Sequence, residues 1–351
     1  MYPSAANPGY GVFVKNFEDS LVERGVVVDR VVIVGRSRSA LVKLFKYLVF
    51  FLRVCFLYCF RRYDCVYVHY IAHSLIPLVP LVGLKRVALI CNAHGEDLLP
   101  RSKVEKKIFR LVRGTISKSK LIVVPSEYFA SIAKAEFPNN LIFVSPSGGV
   151  DLDIFRPHLN TKDLYAGLHV GFVSRVDAGK GWDILLHAIH EVRKLRPDIP
   201  IKVSIVGEGG QVPQLKNLIE DLQLGSIASY LGGLPQHELP KFYSSLDVFV
   251  FPTTRSAESL GLVGLEALAC GVPAICSDIG GIRDYMEDGV NGFLFPSGDI
   301  EGLANKIINF FDLSGDEISG IKFAALNTAQ RYGRARVASD LHSKLTEVLS
   351  S

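Results

Sequence analysis

The chain has 351 residues, 48% of them hydrophobic, which is enough for about two domains that each bury a core. Its six cysteines include no C-x-x-C pair, and Cys55 and Cys59 lie four apart on an apolar segment, so neither a zinc site nor a disulfide framework is indicated. This cysteine usage fits a reducing cytoplasm. The N-terminal residues MYPSAANPGYG lack an apolar core, so we expect no secretory signal there.

Charge is divided unevenly between the two halves of the chain. Residues 1–150 contain 21 basic and 10 acidic residues, whereas residues 151–351 contain 18 basic and 25 acidic residues. A basic half implies an anionic partner, either nucleic acid or an acidic membrane surface. The sequence shows no recognition helix, zinc finger or aromatic RNA-binding motif, and the basic residues concentrate in apolar helices. We therefore expect no nucleic acid partner.

The first half alternates β-branched apolar runs with helical stretches, a pattern typical of a parallel α/β sheet. The predicted strands of this half are Val26–Val34, Cys65–Tyr70, Val87–Asn92, Leu121–Pro125 and Leu141–Ser145.

Two helical segments of the first half are candidates for contact with a membrane. Segment 41–62, LVKLFKYLVFFLRVCFLYCFRR, has a very wide apolar face beside a narrow basic stripe, and its uninterrupted apolar runs are too short to span a bilayer. Segment 101–120 has eight basic residues and one acidic residue. We expect both segments to dock on an anionic membrane surface. The alternative is that the first is a helix buried between the sheet and the other domain.

The second half repeats the alternation of strands and helices. Its predicted strands are Leu168–Val176, Lys202–Val206, Ser229–Leu231, Val248–Phe251 and Pro273–Ser277. Helices are predicted to begin near Trp182, Val212, Glu238, Leu260 and Asp299. The segment PHLNTKDLYAG, residues 157–167, is polar and turn-rich, and the domain joint is placed there. The fold class is therefore α/β, with two Rossmann-like, doubly wound parallel sheets.

The stretch ESLGLVGLEALACGVPAICSDIGG, residues 258–281, sets two carboxylates eight residues apart around a predicted helix start. Glu266 would lie roughly 12 Å from Glu258, about the span of a diphosphate with a sugar at each end. A carboxylate beside phosphate would repel it, so both should bind hydroxyl groups. Free amides at the helix start favour a phosphate. These amides belong to Ser259, Leu260, Gly261 and Leu262.

The loop after the strand GFVS carries Arg175 and Lys180. Ligands of doubly wound sheets bind beyond the carboxyl ends of the strands, so both side chains could reach a diphosphate that gains charge as it loses a sugar. An exposed basic pair that merely solvates a loop is the alternative.

These motifs together resemble glycosyltransferase family 4, the retaining enzymes of the two-domain GT-B fold, whose domains face a cleft. The donor-site signature ESLGLVGLEALACGVPAICSDIGGIRD is followed by DGVNGFLFPSGD. Further segments agree in order along most of the chain: NPGYGVFV, NAHGED, VVPSEYFA, GGVDLDIFRP, GFVSRVDAGKGWDILLHAI and VGEGG.

The resemblance implies a role for each candidate residue. Arg175 and Lys180 would hold the donor diphosphate, Glu258 the transferred sugar and Glu266 the ribose. Gly9 and Gly11 lie in the loop NPGYG, where glycine lets backbone approach a phosphate closely, and Gly11 matches the glycine of the family's N-terminal loop. His94, which follows the strand VALICN, would face the transferred sugar, where its ring or backbone could stabilise developing positive charge. A structural role for this histidine is the alternative.

Four acidic residues near these motifs have other interpretations. Glu96 and Asp97 could cap a helix rather than act as an acceptor base. Asp151 and Asp153 imitate a metal-binding D-x-D, but we interpret them as a family turn. A GT-B site needs no metal when a helix start and two cations bind the diphosphate, so no metal and no cofactor are expected.

The resemblance also divides the chain. Residues 1–157 would form the acceptor domain, 158–330 the donor domain, and 331–351 a C-terminal helix that packs back on the first domain. The family normally has a buried strand before its N-terminal loop, whereas this chain starts at Met1 and leaves no room for it. Because that strand is central in the order 3-2-1-4-5, we expect either an upstream start or an unstable, inactive form.

The sequence thus predicts transfer of a sugar, with retention, from a nucleotide-diphosphate sugar to a glycan or lipid-linked acceptor. Cell-surface polysaccharide or glycolipid synthesis on the cytoplasmic face of the inner or plasma membrane is the expected setting. A GT-B sugar-nucleotide epimerase and a non-catalytic, membrane-associated partner subunit are the alternatives.

Overall fold

The computed structural model describes residues 2–4, 11–35, 39–158 and 167–350 of the chain. They form two compact units. The first unit comprises Met1–Gly149 together with Ala335–Ser351, and the second comprises Val150–Arg334. Most of the segment 157–167, where the sequence indicates the joint, lies outside the described residues.

The first unit is built on a parallel four-stranded sheet whose strands follow chain order. The strands are β1 (Cys65–His69), β2 (Ala88–Asn92), β3 (Leu121–Val124) and β4 (Ile142–Val144). All four residues of β3 are buried, because parallel strands covered on both faces need an unbroken apolar run. Four of the five strands predicted for this half therefore form.

The fifth prediction, a strand over Val26–Val34, is wrong. In the described residues only Val34 of this segment pairs, through an isolated bridge to Tyr2. Its valines have the composition of a strand, but a strand also needs a neighbouring edge to pair its backbone groups. A cavity of about 280 Å³ is lined both by this segment, including Val28, and by Val66 and Val68 of β1.

The helices of both units agree with most of the predicted segments. They are α1 (Val12–Val22), α2 (Ala40–Phe60), α3 (Ile71–Ser74), α4 (Lys103–Ile116), α5 (Glu127–Glu136), α6 (Trp182–Leu195), α7 (Val212–Asp221), α8 (Leu239–Ser244), α9 (Leu262–Ala269), α10 (Ile300–Phe311), α11 (Gly315–Arg331) and α12 (Arg334–Ser350), with 3-10 turns at Ile76–Leu78 and Gly280–Asp284. Leu341 and Leu345 of α12 share a buried cluster with Ile90 and Val123 of the first sheet. Within the described residues, none of these helices combines the length and apolar character needed to cross a membrane.

The second unit is built on a parallel six-stranded sheet in the order β10-β9-β8-β5-β6-β7. The strands are β5 (Leu168–Val173), β6 (Ile201–Val206), β7 (Ala228–Gly232), β8 (Val248–Phe251), β9 (Ala274–Ser277) and β10 (Gly292–Phe295). Separate buried clusters lie against the sheet, one with α6 and α10 and the other with α9. The edge strand β10 has no counterpart among the predicted strands.

Candidate functional site

The second sheet has a topological switch point between β5 and β8. These strands are neighbours, the chain continues from β5 through β6 to β7 on one side, and it continues from β8 through β9 to β10 on the other. Helices must leave such a sheet in opposite directions from these two strands, which opens a crevice at their carboxyl ends. Two loops begin at these carboxyl ends, residues 174–181 after β5 and residues 252–261 after β8.

The two loops pack against each other through their backbones. Thr254 donates its amide to the Gly179 carbonyl at 2.9 Å, and the Thr253 hydroxyl donates to the same oxygen at 3.1 Å. Gly181, the residue before α6, has a left-handed φ of 83°. A Cβ at this position would lie 1.9 Å from the Pro252 carbonyl oxygen, so only glycine permits this approach.

This packing brings two predicted site residues, 78 positions apart, into contact. Lys180 Nζ donates to Glu258 Oε2 at 2.7 Å, and the two side chains are only 11% and 13% exposed. The Thr253 hydroxyl lies 3.4 Å from the same carboxylate oxygen. Such a shielded pair is costly to break by removing one member, because the other is left uncompensated. The pair therefore holds one positive and one negative group at the switch point.

The start of α9 lies two residues later than the sequence predicts. The helix begins at Leu262, so Ser259, Leu260 and Gly261 belong to the loop before it. Gly261 is left-handed, with φ 73°, and its carbonyl accepts a hydrogen bond from the Tyr285 hydroxyl at 3.1 Å. In the part of the chain that the structure describes, the amides of residues 259–262 donate to no acceptor. They remain candidates for anion binding at a helix start.

Arg175 forms its ion pair with Asp177 and not with Glu258. Arg175 Nη1 contacts Asp177 Oδ2 at 3.0 Å, and the arginine side chain is 58% exposed. Asp177 in turn accepts the amide of Gly210, in the loop after β6, at 2.9 Å. Arg175 is thus a surface residue of the switch-point loop whose long side chain can be redirected at small energetic cost.

Glu266 lies on α9 beside the helix α8. Its carboxylate accepts a hydrogen bond from the Tyr243 hydroxyl at 3.1 Å. Desolvation raises the pKa of Glu266 to about 7, and the bond from Tyr243 opposes part of that rise. The carboxyl group therefore changes charge close to neutral pH, which the sequence does not predict. The prediction that it binds ribose hydroxyls stays a prediction.

The candidate residues of the first unit lie in two places. Gly11, buried and left-handed with φ 78°, directly precedes α1. Gly9 lies outside the described residues. His94 follows β2, and its Nε2 lies 3.1 Å from Nδ1 of His69, the last residue of β1. The rings of Phe13 and Tyr70 lie against His94 at centroid distances of 4.7 and 4.5 Å.

The surroundings of His94 keep its ring neutral. Desolvation lowers the pKa of His94 to about 3, so the ring carries no positive charge at neutral pH. Asp97 accepts the backbone amides of His94 at 2.8 Å and of Ile71 at 3.1 Å. These bonds join the loop after β2 to the first residue of α3, and no helix of the described residues begins at Glu96 or Asp97.

The aspartates of the D-x-D sequence form a turn. Asp151 Oδ1 lies 3.2 Å from the amide of Asp153, and Oδ2 accepts from Arg334 at 3.2 Å. A carboxylate engaged by its own turn and by an arginine matches the interpretation as a family turn.

Three residues that contact the predicted site were not singled out from the sequence. Thr253 touches Glu258, Tyr243 touches Glu266, and His69 touches His94. Thr253 lies two residues after β8 and His69 ends β1, so their place at the carboxyl ends of apolar strands was a usable signal. Tyr243 had no such signal, because only packing of α8 on α9 brings it to Glu266.

The two parallel α/β units have the GT-B fold, as comparison with solved structures shows. Sucrose-phosphate synthase from Thermosynechococcus elongatus has a TM-score of 0.81 at 17% identity, covering 100% of this chain and 96% of that protein. Anabaena Alr3699/HepE, solved in complex with UDP and glucose, has a TM-score of 0.74 at 20% identity, covering 98% of each chain.

Sequence comparison gives the family. The model of the family "Glycosyl transferases group 1" matches residues 167–320. The D-inositol 3-phosphate glycosyltransferase of Arthrobacter sp. (strain FB24) is 30% identical over 297 residues, which cover 79% of this chain and 69% of that protein. This chain belongs to the family of glycosyl transferases group 1.

Other relatives are similar over a smaller share of their length. The D-inositol 3-phosphate glycosyltransferase of Paenarthrobacter aurescens is 29% identical, over 72% of this chain and 65% of its own length. A GDP-mannose-dependent alpha-(1-6)-phosphatidylinositol monomannoside mannosyltransferase of Mycolicibacterium smegmatis is 29% identical, over 66% of this chain and 62% of its own length. The chain thus spans slightly less than two thirds of these two relatives.

Proposed function

We propose that this protein is a retaining glycosyltransferase that moves a sugar from a nucleotide-diphosphate sugar to a glycan or lipid-linked acceptor. The observation that carries the proposal is the Lys180–Glu258 contact at the switch point, next to the amides of residues 259–262. A cation and free amides suit a diphosphate, and a carboxylate suits sugar hydroxyls. Membership of the glycosyltransferase family supports the same assignment.

In this proposal the ion pair separates when the donor binds. The diphosphate competes for Lys180, since a doubly charged group attracts the ammonium more strongly than one carboxylate does. Glu258 is then free to accept hydrogen bonds from hydroxyls of the transferred sugar. Arg175 turns from Asp177 toward the growing negative charge of the leaving phosphate, and Glu266 binds the ribose. Lys180, Arg175 and the amides neutralise the diphosphate, so the proposed site works without a metal and without a further cofactor.

The proposal also assigns roles to Gly11 and His94 of the first unit. The neutral ring of His94 can lie beside an anomeric carbon that develops positive charge, whereas an imidazolium would repel it. Retention with no protein nucleophile requires same-face attack, with the leaving phosphate as the base.

The proposed setting is synthesis of a cell-surface polysaccharide or glycolipid at the cytoplasmic face of the inner or plasma membrane. One relative is named for a phosphatidylinositol monomannoside acceptor, which supports a lipid-linked acceptor for this chain. The basic first half supports contact with an anionic membrane through 41–62 and 101–120.

The donor is tested first, by thermal shift with UDP, GDP and ADP, each with and without attached sugars. A ligand at 100 times its dissociation constant adds about 2.7 kcal/mol of stability, which a melting curve detects. The nucleotide that binds is then used for the variants. Absence of any nucleotide binding would contradict the proposal and point to a non-catalytic subunit, and donor turnover without acceptor would point to an epimerase.

Site variants then separate sugar contact from diphosphate contact. We expect Glu258→Ala to lower transfer about 10²-fold without lowering free-nucleotide affinity, because the nucleotide lacks the sugar and no longer competes with Glu258 for Lys180. Lys180→Ala should weaken free-nucleotide binding about 10-fold or more, as a charge-assisted bond is lost. Glu220→Ala, on the exposed face of α7, is the matched control and should change neither. Normal turnover of Glu258→Ala would refute its assignment.

A further inference from the structure

The helix α2 carries an exposed apolar stripe. Six large apolar side chains at helical spacing, each 53–79% exposed, form what we name the α2 stripe: Leu41, Leu44, Phe45, Leu48, Leu52 and Phe56. At 100° per residue they fall within one third of the helix circumference. Water contact with so many large apolar groups on one surface is unfavourable, and such patches usually mark interaction sites.

The opposite face of α2 is anchored in the first unit. Tyr58 is buried, and Val54 packs against the same core cluster. Within the arc of the stripe itself, the Cys55 thiol donates to the carbonyl oxygen of Pro77, in the 3-10 turn Ile76–Leu78, at 3.6 Å, which covers part of the arc near the end of the helix. The helix is therefore attached to the first unit through Val54, Cys55 and Tyr58, while the six stripe side chains stay exposed.

Charge around the stripe is positive. Lys43 and Arg53 are exposed on α2 itself. The helix α4, which packs on the same 3-10 turn as α2, exposes Lys103, Lys106, Lys107 and Arg110. Glu105 is the one acidic residue of α4, and it is engaged in the capping box with Ser102. An apolar stripe and exposed basic side chains on two helices that pack on the same 3-10 turn together complement an anionic lipid bilayer, whose head groups are negative and whose interior is apolar.

We propose that α2 lies in the head-group layer of an anionic bilayer, with the α2 stripe inserted among the acyl chains and the basic face of α4 against the phosphates. Its 21 residues extend roughly 30 Å along the membrane plane. A nucleic acid would leave the stripe in water, and a protein partner would not require the basic surface. Docking would bring the protein to a lipid-linked acceptor, and this role rests on the proposed function. Binding of α2 to the bilayer does not depend on it.

Vesicle sedimentation tests this interface with the full chain. Phosphatidylcholine vesicles with increasing phosphatidylglycerol content should bind the protein increasingly well, and added salt should weaken binding. The double variant Leu44→Glu/Leu48→Glu should lose at least 10-fold in partitioning. Charge reversal of Lys103, Lys106, Lys107 and Arg110 to Glu should lose about 10²-fold or more at low salt, at about 1 kcal/mol per basic residue.

The matched control is Leu195→Glu/Phe323→Glu, which places the same charges at apolar positions of the second unit that are 59% and 68% exposed. It should bind vesicles like the parent chain. No binding to anionic vesicles at low salt, or equal binding of the stripe variant and the control, would overturn the inference. If instead the stripe variant only dissociates an oligomer of the parent chain, the stripe is a protein interface. Sedimentation uses no donor and nucleotide titration uses no lipid, so either proposal can fail alone.

Discussion

Individual side chains at the switch point depend on neighbours that are distant in sequence. The charge of Lys180 is compensated by a glutamate 78 residues away, and the state of Glu266 is set by a tyrosine on another helix. Neither dependence follows from residue type. Each one nevertheless decides what the group can do, because a shielded charge needs a partner and a shielded carboxyl group holds its proton more tightly.

The raised pKa of Glu266 predicts a pH-dependent loss of stability. The folded chain keeps this proton up to about pH 7, whereas the unfolded chain releases it near the ordinary value of 4.5. Below the lower value both states are protonated, so the effect is absent. Between the two values stability falls as pH rises, by at most roughly 3 kcal/mol. Because glutamine stays neutral, the free energy of unfolding of Glu266→Gln should rise relative to that of the parent chain from pH 5 to pH 8.

Urea unfolding followed by Trp182 fluorescence measures this effect, since the chain has one tryptophan and it is buried in the second unit. Glu220→Gln, an exposed carboxylate on α7, serves as control and should show no such trend. A difference between Glu266→Gln and the parent chain that stays constant from pH 5 to pH 8 would show that desolvation does not govern this carboxyl group.

At the scale of elements, the sequence predicts most of the fold because apolar runs bounded by turns fix where strands occur. The strand Val248–Phe251 forms over the predicted residues, and α6 begins at Trp182 as expected. The strand predicted at Val26–Val34 fails because pairing depends on a neighbouring edge, which a local pattern does not contain. Of the site, the donor loops were predictable from motifs, while Tyr243 reaches Glu266 only through packing of α8 on α9.

The loop before α6 gives a prediction for one glycine. Gly181→Ala should destabilise the second unit for two reasons, its left-handed φ of 83° and the approach of its Cβ to within 1.9 Å of the Pro252 carbonyl oxygen. The backbone conformation alone costs about 1–2 kcal/mol. Gly289→Ala isolates that cost, because Gly289 has φ 77° and nothing within 4 Å of a Cβ.

We expect Gly181→Ala to exceed Gly289→Ala in lost unfolding free energy, measured by urea unfolding with Trp182 fluorescence. The additional loss in Gly181→Ala comes from the displacement of the loop after β8 by the new Cβ. Nucleotide binding should also weaken in Gly181→Ala and not in Gly289→Ala, since the same displacement moves Lys180 away from the amides of residues 259–262 in the loop after β8. Equal effects of the two variants on stability would mean that the close approach of the loops contributes nothing.

At the scale of the whole molecule, the two units differ in what lies beside the first strand of each sheet. In the second unit, β5 lies inside the sheet, between β6 and β8. In the first unit, β1 pairs with β2 alone among the described strands, and its other side borders the cavity of about 280 Å³. A cavity removes packing contacts, and an unpaired edge leaves backbone groups without partners. The first unit should therefore be the less stable of the two.

Native-state hydrogen exchange read by mass spectrometry tests this difference. Amides of β1 and β2 should exchange through a lower-energy opening than those of β5 and β6, because regions with fewer buried contacts open first. The helix α12 provides an internal control: it follows the second unit in sequence, but Leu341 and Leu345 pack against the first sheet. Its amides should therefore exchange together with those of β3. Exchange of α12 with β5, or equal protection of β1 and β5, would show that the chain opens as one cooperative body rather than as two units.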